Sequence, residues 1–117
     1  MTVVIEPGFR DANLLEVLEG ADDEQLDALP FGVIGFDPAG VVRRYNAAET
    51  RVSGVAASRN IGHSLFNIVA PCMNNFLVAQ VFEDAAATGQ RLDTTIDYVL
   101  TPRMRLIKVK LRMLASS

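Results

Sequence analysis

The sequence predicts an α+β domain. Two hairpin patterns, one centred on residues 37–40 and one on residues 101–103, bracket a section that carries helical periodicity and helix caps. Hairpins at both ends require an antiparallel sheet, and the amphipathic helices must bury their apolar sides on one of its faces.

The first helix is expected over 11–19, with Leu14, Leu15, Val17 and Leu18 on one side and Gly20 as its stop. A second starts near Asp22, which caps the first turn with Gln25 as its partner; Leu26 and Leu29 are its apolar face and Pro30 ends it. Residues 31–36 read as a buried strand and 41–45 as its return. The turn between them is Asp37-Pro38-Ala39-Gly40, where Pro presets φ and Gly accepts a positive one. Asn46 caps a short helix through Ala47, Ala48 and Glu49, and Gly54 closes it. Residues 58–67 look irregular, turning at Gly62, and 68–70 lead into Pro71-Cys72. The longest helix is expected from Asn74 or Asn75 to Thr88, with Phe76, Leu77, Val81 and Ala85 as its stripe and Gly89 beyond its end. The clearest alternation comes last. Leu92, Thr94, Ile96, Tyr98 and Leu100 share one face of a strand; Ile107, Val109, Leu111 and Met113 face inward from the next, with Lys108, Lys110 and Arg112 turned to water.

Composition narrows the function. The 117 residues suit one domain, half of them are apolar, and 11 basic against 14 acidic residues leave a net charge of −3. That balance argues against nucleic acid as a partner. No apolar run approaches the roughly 18 residues of a membrane span, and residues 1–10 lack the basic-then-apolar pattern of a signal peptide. A cytoplasmic protein is the expectation. With one cysteine (Cys72) and one histidine (His63), an internal disulfide is impossible, a structural zinc site would have to be built almost wholly from carboxylates, and a hydrolytic triad could run only through His63.

Four residues carry the remaining chemistry. Cys72 follows a proline and precedes a helix, so it is either a buried small hydrophobe or a reactive thiol of lowered pKa. Glu49 is either a capping-box carboxylate or a carboxyl turned inward, neutral and able to donate. Tyr45 and Tyr98 are core residues or placed hydroxyls.

Three segments together resemble the photoactive yellow protein family, a branch of the PAS domains. They are residues 29–49, ending Tyr-Asn-Ala-Ala-Glu49; residues 61–72, ending Val-Ala-Pro-Cys72; and residues 97–110, from Asp97-Tyr98 through Met104 to Lys108-Val109-Lys110. The resemblance implies a PAS fold, a five-stranded antiparallel sheet with helices and an N-terminal helical cap, divided as a cap over 1–30 and a core over 31–117. It implies a blue-light photoreceptor in which Cys72 holds 4-hydroxycinnamic (p-coumaric) acid as a thioester. Tyr45 and Glu49 match the pair that hydrogen-bonds the phenolate, and Ser53 stands where the family usually has a supporting Thr. Tyr98 and Met104 match positions that pack near the chromophore, the methionine assisting return to the dark state. Val55 stands where an Arg often closes the pocket, and Pro102 where an aromatic is expected. Signalling is expected through photoisomerisation and proton transfer from Glu49 to the phenolate, with the output taken up by a downstream partner, such as a fused phytochrome or histidine-kinase module, or by a homodimer, and with no turnover as an enzyme. The alternatives are a non-photoactive PAS module for ligand sensing or dimerisation, and an enzyme built on Cys72 and His63. The fold's last, central strand is expected after Ser117, which leaves a sheet edge open within these residues.

Overall fold

A five-stranded antiparallel sheet organises the chain, which a computed structural model describes over residues 1–6, 14–100 and 107–115. Its strands are β1 (Thr2–Glu6), β2 (Gly32–Phe36), β3 (Val42–Tyr45), β4 (Leu92–Leu100) and β5 (Ile107–Ala115), in the spatial order β3-β2-β1-β5-β4. The hairpins β2–β3 and β4–β5 are the two that alternation predicts. Residues 101–106, with Pro102 and Met104, and the predicted helix start at 11–13 lie outside the described residues.

The central position corrects the expectation of an open edge. β1 fills it, pairing with β2 from Thr2↔Gly35 to Ile5↔Gly32 and with β5 from Thr2↔Leu114 to Glu6↔Lys110. Val3 and Val4 are fully buried on opposite faces. Val3 joins the cluster of Ile34, Tyr45, Leu65, Phe82 and Met113, while Val4 joins Leu14, Leu15, Leu18, Leu26 and Phe31. A short β-branched run suits such a slot, where both edges of the strand find ladder partners.

The helices then partition. α1 (Leu14–Gly20) and α2 (Asp23–Asp27) cover the Val4 face. Asp22 and Gln25 form the predicted reciprocal capping box. Val17 is half-exposed, not buried with Leu14, Leu15 and Leu18. The Arg44 guanidinium reaches back from β3 to the carbonyls of Leu18 (2.7 Å) and Ala21, where a cation meets the negative end of α1.

α3 (Ala47–Ser53) ends on Gly54 in the left-handed conformation. Within the stretch 58–67, expected to be irregular, residues 58–60 belong to the one-turn α4 (Ala57–Asn60). The approach to the cysteine is a π-helical turn, Leu65–Val69, capped by Ser64, followed by a 3-10 turn, Pro71–Met73. α5 runs over Ala79–Thr88 and starts later than predicted: the Asn75 side chain accepts from the amides of Leu77 and Val78 and closes a turn there, leaving Phe76 and Leu77 exposed while Val78, Ala79 and Phe82 are buried. One further correction falls on β5. Arg112 is buried and makes a two-point ion pair with Asp93 at 2.8 Å, because it shares its face of the sheet with Val4 and Leu114, the face that α1 and α2 cover.

Candidate functional site

The site begins at the end of β3, where the chain turns into α3. The turn is fixed by Asn46, almost wholly buried. Its Oδ1 accepts from Val33 N (2.9 Å) and Glu49 N (3.1 Å), and its Nδ2 donates to the carbonyls of Leu26 and Phe31 (both 2.9 Å). One amide thus joins α2, β2 and the first turn of α3, using both its donors and its acceptor on backbone groups.

That turn projects Glu49 inward. The residue is 6% exposed, and among the described residues Oε2 is a buried polar atom without a hydrogen-bond partner. The capping-box alternative therefore fails: Asn46 caps Glu49 N, but the carboxyl does not return to the cap. Space for it comes from Gly32 on β2, where a Cβ would collide with Glu49 Oε2. Burial pushes the Glu49 pKa up to about 7, so the carboxyl is held largely as the neutral acid below that pH.

Tyr45 is buried beside it and donates from its hydroxyl to Ser53 Oγ at 2.7 Å; Ser53 Oγ also accepts from Val55 N at 3.1 Å. Desolvation, opposed by the hydrogen bond shared with Ser53 and reinforced by Glu49, raises the phenol to about 12. Asn60, buried at the end of α4, also bears on this hydroxyl. Val55 is half-buried.

The second half of the site is the cysteine turn. Cys72 is a free thiol, half-buried, packed with Tyr98, Ala70, Val69 and Ile96 against the apolar cluster that contains Tyr45. Its carbonyl accepts from the Tyr98 hydroxyl (2.7 Å) and from Asn75 Nδ2 (3.2 Å), while the same Nδ2 donates to Tyr98 Oη (2.6 Å). The fold therefore gathers Tyr45, Cys72 and Tyr98 around one cluster, with Glu49 and Ser53 on the adjoining helix; Met104 lies outside the described residues. Asn75, Asn60 and Gly32 carry no motif of their own. Only Asn75 has a local signal, a position three residues past the cysteine at the mouth of a helix. His63 is exposed in the turn after α4.

A phenol and an unpartnered buried carboxyl thus stand side by side, the phenol in the apolar cluster against which the Cys72 turn packs. Comparison with known proteins places the chain in a family. The PAS fold family matches residues 26–116. The photoactive yellow proteins of Halochromatium salexigens and Rhodothalassium salexigens are 36% and 35% identical to the chain over 105 residues, which is 90% of the chain and 83% of each relative.

The chain belongs to the photoactive yellow protein family.

The architecture agrees with that membership. The crystal structure of the photoactive yellow protein domain from the sensor histidine kinase Ppr of Rhodospirillum centenum superposes with a TM-score of 0.80 at 36% identity, covering 87% of this chain and 89% of that one. As a photoactive yellow protein relative, the chain is a PAS-fold photoreceptor domain of the sensory class. Among the described residues no helix is long and apolar enough to cross a membrane, and no group of three metal-ligating side chains occurs.

Proposed function

We propose that the chain is a cytoplasmic blue-light sensor, without enzymatic turnover, that carries a 4-hydroxycinnamoyl group in thioester linkage to Cys72. The observation that carries the reading is the buried, unpartnered Oε2 of Glu49 beside the Tyr45 phenol. A carboxyl without a partner in the interior costs about 1–3 kcal/mol in the empty protein, and an acceptor delivered with a ligand removes that cost. The bound group supplies visible absorption and a double bond that light isomerises.

The remaining work falls to the chain's own residues. Cys72 Sγ forms the covalent attachment. Glu49 holds a proton on Oε2, which its burial keeps there up to about pH 7, and donates it to the bound anionic oxygen. Tyr45 supplies the second donor. Its proton is directed at Ser53 Oγ in the empty protein, but the Ser53 hydroxyl can turn to donate to Tyr45 Oη instead, which frees the phenol proton for the pocket. Val55 shields the rim without adding charge, and Tyr98 packs against the cysteine turn. Met104 is proposed to assist the return to the dark state. When Glu49 gives up its proton, a carboxylate is left in an apolar setting with Gly32 against it, and this stress loosens the contacts of α3 and of the α1–α2 cap. The output goes to a downstream partner, of which a histidine-kinase module is the best-supported class, since the solved relative is part of a sensor histidine kinase.

The test is incubation of the purified protein with an activated ester of 4-hydroxycinnamic acid. A stable blue-absorbing adduct that bleaches in light, abolished by Cys72→Ser, is the expected result. Absence of any visible band would leave a light-insensitive PAS module; ester turnover lost in His63→Ala would indicate an enzyme.

A further inference from the structure

We propose that Asn75 is a positioning residue for the reactive cysteine, clamping the backbone of Cys72 to β4 through Tyr98. The inference rests on the reading of Cys72 as the attachment point, but its decisive measurement is made on the bare thiol.

Three polar groups form a closed triangle. Asn75 Nδ2 donates to Cys72 O (3.2 Å) and to Tyr98 Oη (2.6 Å), and the Tyr98 hydroxyl donates to Cys72 O (2.7 Å). The other end of the same amide is equally engaged, because Oδ1 accepts from Leu77 N (2.9 Å) and Val78 N (3.2 Å). An Asn amide has two N–H donors and two carbonyl lone pairs, and all four are used here.

The bonds divide into two functions. Those at Oδ1 satisfy backbone amides ahead of α5 and hold up a local turn. Those at Nδ2 reach the carbonyl of the residue that bears the thiol and a phenol 23 positions away on the sheet. With both lone pairs of Cys72 O occupied, the peptide plane after Cys72 cannot rotate without breaking two hydrogen bonds. The Cα–Cβ vector that aims Sγ is thereby fixed relative to β4. The 3-10 turn Pro71–Met73 is only one turn long, so this external tether supplies rigidity that the turn lacks by itself.

The two functions are separable by substitution. Asn75→Ser keeps a short oxygen acceptor for the turn ahead of α5 but cannot reach Cys72 O or Tyr98 Oη. Tyr98→Phe keeps the packing and removes the phenol corner. The experiment measures the rate of Cys72 alkylation by iodoacetamide in the full chain without chromophore, as a function of pH so that the thiolate fraction is separated from access, together with thermal melting. Asn75→Ser is expected to melt within a few degrees of the wild type, while its limiting alkylation rate rises about tenfold, the scale of one lost hydrogen bond. Tyr98→Phe is expected to do the same, and the double variant to gain little beyond either single one, since the triangle is already open. Wild-type alkylation in Asn75→Ser, or rate increases that multiply in the double variant, would overturn the clamp. If Asn75→Ser proves unstable, Tyr98→Phe decides alone: an unchanged rate overturns the proposal. In chromophore-loaded protein the same variants should recover from bleaching several-fold faster. A wild type that forms no adduct would defeat the photoreceptor reading, and the alkylation series would still decide on Asn75.

Discussion

At Glu49, a pattern that local rules read in two ways resolves into one. Asn46 and Glu49 have capping-box spacing, and half of the box forms: Asn46 accepts from Glu49 N. The carboxyl leaves the box because β2 offers Gly32 opposite it, a position with no side chain. The local signal is thus the same for a surface cap and an interior acid, and only the strand packed across the helix separates them.

The raised pKa has a measurable consequence in the empty protein. The folded chain binds the Glu49 proton more tightly than the unfolded chain does, at about 7 against an ordinary 4.5. Its neutral form is therefore part of the stable state. The contribution is fully present below the unfolded value and is lost as pH rises from there through about 7, a change on the order of 3 kcal/mol. Urea midpoints measured across this range should fall for the wild type relative to Glu49→Gln, which has no proton to lose; parallel curves would contradict the burial. In loaded protein, Glu49→Gln should move the absorption band to the red, because a weaker donor leaves more charge on the phenolate ring. An unchanged spectrum would remove Glu49 from the pocket.

Elements meet at two small residues on β2 and one asparagine. Gly32 makes room for the Glu49 carboxyl, and Gly35 lets the Arg44 stem lie across β2 on its way to α1. Gly32→Ala is expected to cost roughly 1–3 kcal/mol by overpacking and to lower chromophore uptake by displacing the acid; denaturation and adduct yield check the two effects separately. Asn46→Ala removes four hydrogen bonds and strands the amides of Val33 and Glu49. A loss of about 2–4 kcal/mol is expected in a urea titration. Asn46 was readable as a helix cap from sequence. Its reach to Leu26 and Phe31 was not, since those carbonyls come close only when α2 folds over the sheet.

The whole molecule depends on its first strand. β1 makes all of its ladder pairs with sequence-distant strands, β2 and β5, and plugs both cores with Val3 and Val4. Val4→Asp would bury a carboxylate among Leu14, Leu18 and Val33 without a partner. A destabilisation of about 4 kcal/mol or more is expected, enough to abolish cooperative melting in a domain of ordinary stability. A normal melt would show that the central slot does not need this strand.

The division between sequence and tertiary structure follows the range of the forces involved. The sequence by itself determined the two hairpins, the caps at Asp22 and Asn46, and the helix stops, because period-2 alternation, capping chemistry and glycine conformation act over a few residues. It also carried the family motif around Tyr45, Glu49 and Cys72. Tertiary structure alone decided that Thr2–Glu6 is the central strand, that Arg112 is buried against Asp93, that Glu49 faces inward, and that Asn75 ties the cysteine to Tyr98. Each of these depends on a partner far along the chain. A hydrogen bond or a buried charge is favourable only once desolvation has been compensated by that partner, and no local pattern records where the partner will be.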